Sequence, residues 1–214
     1  MRCPGSGRSP GLNLLGSEAL LGLRLSDESM RHRGYQSQHR LASLRPSAAF
    51  SLVLLSDPGL EDVFLDPFCG SGTLLIERAL SGRYGMLLGG DIDPAAIEAV
   101  KQNVGSRYQP IGLARWDATD LPLNPGSVDR IVTNLPFGRK IGSPEENVLL
   151  YERFFAEAGR VLKPDGRMAI LTSERRLVGD NLARRPDLLL AESYPVSVLG
   201  RPATIYVLNG GCTS

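Results

Sequence analysis

The sequence lacks several features that would place it in a special class. No apolar run approaches the ~20 residues of a membrane-spanning helix. Only three cysteines are present, Cys3, Cys69 and Cys212, and no two of them form a Cys-x-x-Cys pair. Their scarcity argues against a disulfide framework and a structural zinc site, so no metal centre is predicted. Met1–Pro10 is polar and interrupted by Gly and Pro, unlike a secretory signal. We therefore expect a cytoplasmic protein without a membrane partner.

The basic residues are concentrated at the start of the chain. Residues 1–45 hold seven arginines and three acidic residues, a net charge of +4, whereas residues 46–214 have a net charge of −3. A phosphate-backbone partner and a solvated, poorly ordered arm explain this basic start equally well. A chain of 214 residues has room for one domain and such an arm. We expect a basic N-terminal arm over residues 1–41 and one domain over residues 42–214.

The arm contains one strand-like stretch. Met1–Gly11 is rich in Gly, Ser and Pro, which predicts a disordered lead. Leu20–Ser26 alternates as a strand does, but no obvious partner for it is found in the arm. Because a lone strand is not stable, we interpret the arm as the remnant of a linker region or of a domain before it.

From residue 46 onward, helix-like and strand-like stretches alternate. Strands are predicted at 63–68, 86–92, 111–117, 128–134 and 167–173, and near 190–199 and 203–209. Helices are predicted at 46–55, 73–82, 94–104, 145–162 and 175–184. Repeated βα units imply a parallel sheet with helices on both faces, and the last two strands fit an antiparallel edge pair. The expected fold is α/β and Rossmann-like, with a mostly parallel seven-stranded sheet.

A glycine-rich loop follows the first strand of this domain. The apolar run ends at Asp66, Phe68 follows, and Gly70 and Gly72 open an amphipathic helix. Glycines at such a loop let a ligand approach the backbone closely. The third glycine of Gly-x-Gly-x-x-Gly is absent, and so is the Gly-Lys-Ser/Thr of a Walker loop. The loop therefore favours a compact adenosine ligand such as S-adenosylmethionine over a pyrophosphate.

Acidic residues end the next two strands. Asp91 lies at the tip of the second strand, where a carboxylate can accept hydrogen bonds from both ribose hydroxyls. Asp93 precedes a proline and fits the N-cap of the following helix better. Ile92 could lie against an adenine face, and Asp117, followed by Ala118, could accept a hydrogen bond from the adenine amino group. Each acid alone fits a cap or a surface role equally well, but their placement after successive strands favours one shared site.

The stretch at the end of the fourth strand indicates the reaction. Asn134 is followed by Leu135, Pro136 and Phe137. The Asn134 oxygen and a following backbone carbonyl could hold both hydrogens of an exocyclic amine while Phe137 stacks on the base. These contacts would aim the nitrogen lone pair at an electrophilic methyl group without a strong base. The structural alternative is an ordinary loop with a core Phe.

Three motifs together resemble class I S-adenosylmethionine-dependent methyltransferases that modify amino nitrogens. They are Asp-Pro-Phe-Cys-Gly-Ser-Gly-Thr at 66–73, Gly-Gly-Asp-Ile-Asp-Pro at 89–94 and Asn-Leu-Pro-Phe-Gly at 134–138. More narrowly, residues 134–143 and 160–166 resemble the THUMP-containing tRNA guanine-N2-methyltransferases. The resemblance implies S-adenosylmethionine as the cofactor and tRNA as the substrate.

The resemblance also implies a set of site residues. The catalytic group would be Asn134, Pro136 and Phe137. The cofactor-binding residues would be Pro46, Ser47, Asp66, Phe68, Gly70, Gly72, Asp91, Ile92, Asp117, Ala118 and Asn134.

Two departures from the family pattern keep other interpretations open. Leu135 stands where amino-methyltransferases have the first Pro of Asn/Asp-Pro-Pro-Phe/Tyr, and the chain has no segment long enough for a THUMP domain. A separate chain could supply RNA binding. A DNA adenine or cytosine amino-methyltransferase, or a truncated non-catalytic module that binds cofactor or RNA, remains an alternative. Cytosine C5 chemistry is not favoured because the fourth-strand motif has no cysteine.

Overall fold

A computed structural model describes residues 9–15, 18–24, 44–136, 144–198 and 200–211. The chain divides into two compact units, Met1–Gln36 and Ser37–Ser214. The expected boundary after residue 41 stays a prediction.

The N-terminal unit contains a pair of antiparallel strands, β1 (Ser9–Leu15) and β2 (Glu18–Arg24). Their register runs from Ser9 opposite Arg24 to Leu15 opposite Glu18. The expectation of a strand without a partner was therefore wrong, and so was that of a disordered lead for residues 9–11. Only two residues separate Leu15 from Glu18 along the chain, which is the loop length of a tight hairpin. The Gly and Pro content of the lead hid the short apolar stretch that forms β1.

The second unit contains seven strands and five helices among the residues described. The strands are β3 (Val63–Asp66), β4 (Met86–Asp91), β5 (Ile111–Arg115), β6 (Val128–Asn134), β7 (Leu162–Thr172), β8 (Leu188–Val198) and β9 (Arg201–Gly210). The helices are α1 (Pro46–Leu55), α2 (Thr73–Ser81), α3 (Pro94–Val104), α4 (Pro144–Val161) and α5 (Arg175–Leu182).

These strands form one sheet in the order β5-β4-β3-β6-β7-β9-β8. The pairs among β3, β4, β5, β6 and β7 are parallel, whereas β9 is antiparallel to both β7 and β8. The predicted seven-stranded sheet with an antiparallel edge pair is confirmed. Because β3 and β6 are neighbours although two βα units separate them along the chain, the topological switch lies between them. Ligands of open α/β sheets bind outside the carboxyl ends of the strands at this point.

Strand β7 differs most from the predicted bounds. It begins directly after α4, and its pairing with β6 passes from Val128 opposite Leu162 to Arg130 opposite Arg167. One residue of β6 therefore faces four residues of β7, three more than a regular register has, and these include the Pro164-Asp165-Gly166 sequence that predicts a turn. The extra residues are accommodated as an irregularity within the strand.

Helix α4 supplies much of the core beside the switch point. The side chains of Tyr151, Phe154, Phe155, Ala158 and Val161 are fully buried. Their spacing of three or four residues places them on one helical face, as expected for a helix packed on a sheet. Tyr151 is the member of this row closest to the start of α4, and its hydroxyl reaches the residues that follow β6.

Candidate active site

The glycine loop after β3 contains two glycines with positive φ angles. Gly70 has φ +52°, and no heavy atom lies within 4 Å of the position that a Cβ would occupy. Gly72 has φ +84°, and a Cβ there would lie 2.4 Å from Cγ2 of Val100 on α3. Gly72 is therefore required for helix packing, whereas Gly70 leaves open space beside the loop. Only Gly70 matches the prediction that the loop is kept open for a ligand.

Asp91, at the end of β4, holds this loop and the next one together. One carboxylate oxygen accepts the backbone N–H of Gly70 at 3.0 Å, and the other accepts the backbone N–H of Asp93 at 3.0 Å. A carboxylate has about four acceptor positions, so both oxygens can still accept hydrogen bonds from ribose hydroxyls. The neighbouring Ile92 is 61% exposed, which leaves its side chain available to an adenine face.

Asp93 has the other role predicted for it. Its carboxylate accepts the backbone N–H of Ala95 at 2.8 Å and caps α3, which begins with Pro94. A capping carboxylate with proline at the first helical position is a common helix start. The two acids two residues apart thus have separate tasks, with Asp91 turned toward the loop after β3.

Asp66 connects the cofactor-type loop to the neighbouring strand β6. Its carboxylate is almost completely buried and accepts hydrogen bonds from the Thr133 hydroxyl at 2.8 Å and from the Phe68 backbone N–H at 3.3 Å. Burial raises the pKa of Asp66 to about 7, against the lowering effect of these two hydrogen bonds. Thr133 directly precedes Asn134, so Asp66 links the loop after β3 to the segment after β6.

Trp116 packs against the start of the glycine loop, a contact that the sequence did not predict. Its indole N–H donates to the Pro67 carbonyl at 3.2 Å, and the ring is buried. A Cβ at Gly90 would lie only 2.0 Å from Cε2 of the Trp116 ring, so this position of β4 has no space for a side chain. The Gly89-Gly90 doublet was the signal, because strands rarely contain adjacent glycines without a close neighbour.

Three residues predicted to bind the cofactor also make contacts within the protein. One oxygen of Asp117 accepts both the backbone N–H of Thr119 at 2.9 Å and its hydroxyl at 2.8 Å. Ala118 is buried in the core, and the Phe68 ring packs edge-on against Phe154 with the centroids 5.3 Å apart. The cofactor roles of Asp117, Ala118 and Phe68 stay predictions, beside the structural roles that these contacts give them.

Asn134 ends β6 at the switch point, two strands from Asp91. Its Oδ1 atom is buried and accepts no hydrogen bond from any residue that the structure describes. A buried acceptor without a donor is costly, so such an atom often marks a place that a ligand donor fills. The next residues are fixed, because the Leu135 N–H donates to Leu171 at 3.0 Å and the Pro136 carbonyl accepts from Tyr151 at 3.0 Å. The predicted stacking residue, Phe137, lies outside the described residues.

Pro46 and Ser47 lie in the first turn of helix α1. The last turn of α1 contacts β7, because Arg167 donates to the Leu55 carbonyl at 3.0 Å. A helix of 10 residues is about 15 Å long, so the first turn lies well away from this contact. Ser47 is exposed there. Contact between these residues and a cofactor stays a prediction.

The sheet register brings the strand-end residues together. Asp66 pairs with Gly89, Asp91 pairs with Arg115, and Leu65 pairs with Ile131. The residues after β3, β4, β5 and β6 therefore share one edge, with neighbouring strands roughly 4.8 Å apart. Within the part of the chain that the structure describes, no group of three His, Cys, Asp or Glu residues could hold a metal ion. None of the described helices is long and apolar enough to cross a membrane.

Comparisons with known proteins agree with this geometry. The chain is 33% identical to the human tRNA (guanine(6)-N(2))-methyltransferase THUMP3 over 92% of its own length and 42% of that protein. The structure of TrmN from Thermus thermophilus superposes with a TM-score of 0.79 and 31% identity, over 94% of this chain and 59% of TrmN. The structure of SMU.472 complexed with SAH has a TM-score of 0.75 and 18% identity, over 96% of this chain and 62% of SMU.472.

The Rossmann-like methyltransferase fold and the resemblance to THUMP-containing enzymes are thereby confirmed. The chain spans less than half the length of its human relative. Residues 33–196 match the family model described as RMKL-like, methyltransferase domain, which covers more than half of the sequence. The chain belongs to the family of RMKL-like methyltransferase domains.

Proposed function

We propose that this chain is an S-adenosylmethionine-dependent N-methyltransferase that acts on guanine N2 in tRNA. The observation that carries the proposal is the Asn134 Oδ1 atom, which is buried without a described donor beside an adenosine-type loop. An exocyclic amine has two N–H donors, and one of them would satisfy this oxygen. Positioning of this kind leaves the nitrogen lone pair free to bond to the methyl group, and it needs no strong base because the amine releases one proton to solvent only once that bond has formed.

The residues at the carboxyl edge fit the cofactor. Asp91 would accept the ribose hydroxyls, and Gly70 leaves space beside the loop for close approach. Ile92, which is exposed, would contact the adenine. When bound, S-adenosylmethionine supplies an electrophilic methyl group. The remaining cofactor contacts that we propose are Pro46, Ser47, Asp66, Phe68, Gly72, Asp117 and Ala118.

The second amine hydrogen would be held by the backbone next to Asn134. The Pro136 carbonyl already accepts the Tyr151 hydroxyl, so we assign this role to the Leu135 carbonyl. The N–H of the same residue is bonded to the Leu171 carbonyl, which limits rotation of the segment. Pro136 would then act by fixing the loop, and Phe137 would stack on the base.

The relatives support guanine in tRNA as the substrate. The human protein is named as a tRNA (guanine(6)-N(2))-methyltransferase, but the chain covers 42% of it. The basic arm, or a separate RNA-binding chain, would contribute to RNA docking. A tRNA substrate agrees with the cytoplasmic location expected from the sequence, and RNA methylation during tRNA processing would be the biological role.

The test is methyl transfer from labelled S-adenosylmethionine to unmodified bulk tRNA, followed by nuclease digestion and nucleoside identification. Labelled N2-methylguanosine that disappears in Asn134→Ala would support the proposal. Labelled methyladenosine or methylcytidine would retain the amine chemistry but contradict guanine as the base. If no tRNA is methylated by protein shown to bind the cofactor, the proposal fails and a non-catalytic module is favoured.

A further inference from the structure

A chain of hydrogen bonds connects the segment after β6 to the start of α5. The Tyr151 hydroxyl on α4 lies 3.0 Å from the Pro136 carbonyl and 2.6 Å from the hydroxyl of Thr172, the last residue of β7. The Thr172 hydroxyl in turn accepts the backbone N–H of Glu174 at 3.0 Å. Four groups, from α4, from β7 and from the segments after β6 and before α5, are thus joined in one row.

The direction of every hydrogen bond in this row follows from its ends. A carbonyl oxygen can only accept, so the single hydroxyl proton of Tyr151 points to Pro136. The Thr172 hydroxyl must therefore donate to Tyr151, and it remains able to accept from the Glu174 N–H, which can only donate. The donor and the acceptor of each hydrogen bond in the row are therefore defined. Reversing any of these bonds would leave one contact without a proton.

The row is shielded from water. The side chains of Tyr151 and Thr172 are both fully buried, so no solvent molecule competes for the phenol. Burial also raises the pKa of Tyr151, which keeps the hydroxyl protonated and able to donate. Hydrogen bonds in such surroundings hold their geometry more firmly than those at a surface.

Leu135 replaces the first proline of the general motif, which changes how the backbone after Asn134 is restrained. A proline would restrict the backbone by fixing its own φ angle, but it has no N–H. Leu135 has an N–H, which donates to the Leu171 carbonyl at 3.0 Å. The segment from Asn134 to Pro136 is therefore held at two points, by Leu171 on one side and by Tyr151 on the other.

We propose that Tyr151 is a positioning residue for methyl transfer. Its hydroxyl, oriented by Thr172, holds the Pro136 carbonyl and so keeps the Asn134 Oδ1 atom and the Leu135 carbonyl directed at the same amine. The hydrogen bonds replace the rigidity that a proline at position 135 would supply. This inference rests on the proposed function, because the amine of that reaction is the group being positioned.

The test compares Tyr151→Phe, Thr172→Val and the double variant with the wild type. We expect Tyr151→Phe to lower kcat about fivefold, the equivalent of the ~1 kcal/mol that one net hydrogen bond contributes, while the Kd for S-adenosylmethionine changes less than twofold. Thr172→Val should have a smaller effect of the same kind. The double variant should be no slower than Tyr151→Phe, because both substitutions break the same row.

Tyr84→Phe is the matched control. Its hydroxyl also donates to a backbone carbonyl, that of Gln109 at 3.1 Å, but before the starts of β4 and β5. Its kcat should equal that of the wild type. A Tyr151→Phe variant with wild-type kcat would overturn the proposal. Equal losses in kcat and cofactor affinity would also overturn it, because they would indicate a general structural defect.

A second measurement separates this inference from the proposed function. Amide hydrogen exchange should be faster at Leu135 and Glu174 in Tyr151→Phe than in the wild type, and unchanged there in Tyr84→Phe. If the wild type methylates nothing, the proposed function fails and exchange alone decides whether the row restrains the segment. Unchanged exchange in Tyr151→Phe would then overturn the positioning role by itself.

Discussion

The two edges of the sheet use the same kinds of polar residue in different ways. At the amino edge, Asp129 accepts both the Val63 backbone N–H at 2.9 Å and the Lys163 ammonium group at 2.7 Å. Arg160 pairs with Glu157 and also donates to two backbone carbonyls. These groups satisfy one another, and the hydrogen bond from Arg160 holds the pKa of Glu157 below its usual range.

By comparison, the polar groups at the carboxyl edge lack charged partners among the described residues. Asp91 and Asp66 accept mainly from the backbone or from a hydroxyl, with no described cation against either carboxylate. The Asn134 oxygen has no described donor at all. Polar groups that pair with each other stabilise the fold, whereas a buried acceptor without a donor often marks a ligand site. We therefore expect substitutions at the amino edge to affect stability and substitutions at the carboxyl edge to affect catalysis.

Removal of the Asn134 amide, whose oxygen has no described donor, should have the largest effect. Asn134→Ala should lower kcat roughly 100- to 1,000-fold, the range found when one donor or acceptor that stabilises a transition state is removed. The Kd for S-adenosylmethionine should change little, because in the proposed function the Asn134 amide binds the substrate amine rather than the cofactor. Steady-state kinetics with tRNA and calorimetric cofactor binding measure the two quantities.

Asn181→Ala provides a control for loss of a buried amide. The Asn181 side chain donates to the Leu177 carbonyl within α5, so its removal should lower stability and leave kcat unchanged. If Asn134→Ala lost cofactor affinity and turnover equally, Asn134 would not have the role assigned to it.

The burial of the Asp66 carboxyl group should appear in the pH dependence of stability. Burial raises the pKa of Asp66 in the folded protein to about 7, from an ordinary value of 3.8. Between these values the folded state binds more protons, so the free energy of unfolding falls as pH rises, by at most ~1.4 kcal/mol per unit. The contribution of protonated Asp66 is fully present below about pH 4 and lost as pH passes 7.

Asp66→Asn isolates this effect, because an amide oxygen can accept the same two hydrogen bonds without titrating. Denaturant unfolding from pH 4 to 8 should show the variant gaining stability over the wild type as pH rises through the window. Parallel profiles for the two proteins would show that Asp66 has an ordinary pKa.

Replacement of Asp91 should weaken cofactor binding more than turnover. Asp91→Ala removes the acceptor for Gly70 and Asp93, so the Kd for S-adenosylmethionine should rise about 10- to 100-fold, or ~1.4–2.7 kcal/mol. At saturating cofactor, kcat should fall far less. Asp93→Ala is the matched control, because that carboxylate caps α3 and its loss should cost stability with cofactor affinity intact. Unchanged affinity in Asp91→Ala would exclude Asp91 from the site.

The sequence predicted the positions that local patterns determine. Asp91 and Asn134 end apolar stretches of strand character, and Asp93 precedes a proline, so their places at the strand ends and at the start of α3 follow from neighbouring residues. Glycine also marked the loop after β3. The alternation of strands and helices was enough for the fold, because each βα unit is local and its handedness is restricted.

The missed residues depend on contacts between distant parts of the chain. Thr133 bonds to Asp66 across 67 positions, and Trp116 bonds to Pro67 across 49. Tyr151 reads as one more apolar residue of an amphipathic helix until β7 places Thr172 beside its hydroxyl. No pattern in one segment contains that information, since it arises from the strand order. Strand β1 was missed for a different reason, because Gly and Pro outweighed a short apolar stretch.

The smallest effect is expected at the amino edge, where Asp129 and Lys163 form an ion pair. Asp129→Asn should lower the free energy of unfolding by about 1–2 kcal/mol, because the neutral amide interacts less with Lys163 and the pair is only partly exposed. Neither kcat nor cofactor affinity should change at a temperature where the variant is folded. Lys163→Met tests the same pair from its other member, and the double variant should lose less than the sum of the single losses. A drop in kcat without a drop in stability would contradict the division between the two edges. It would show that catalysis depends on an ion pair at the amino edge.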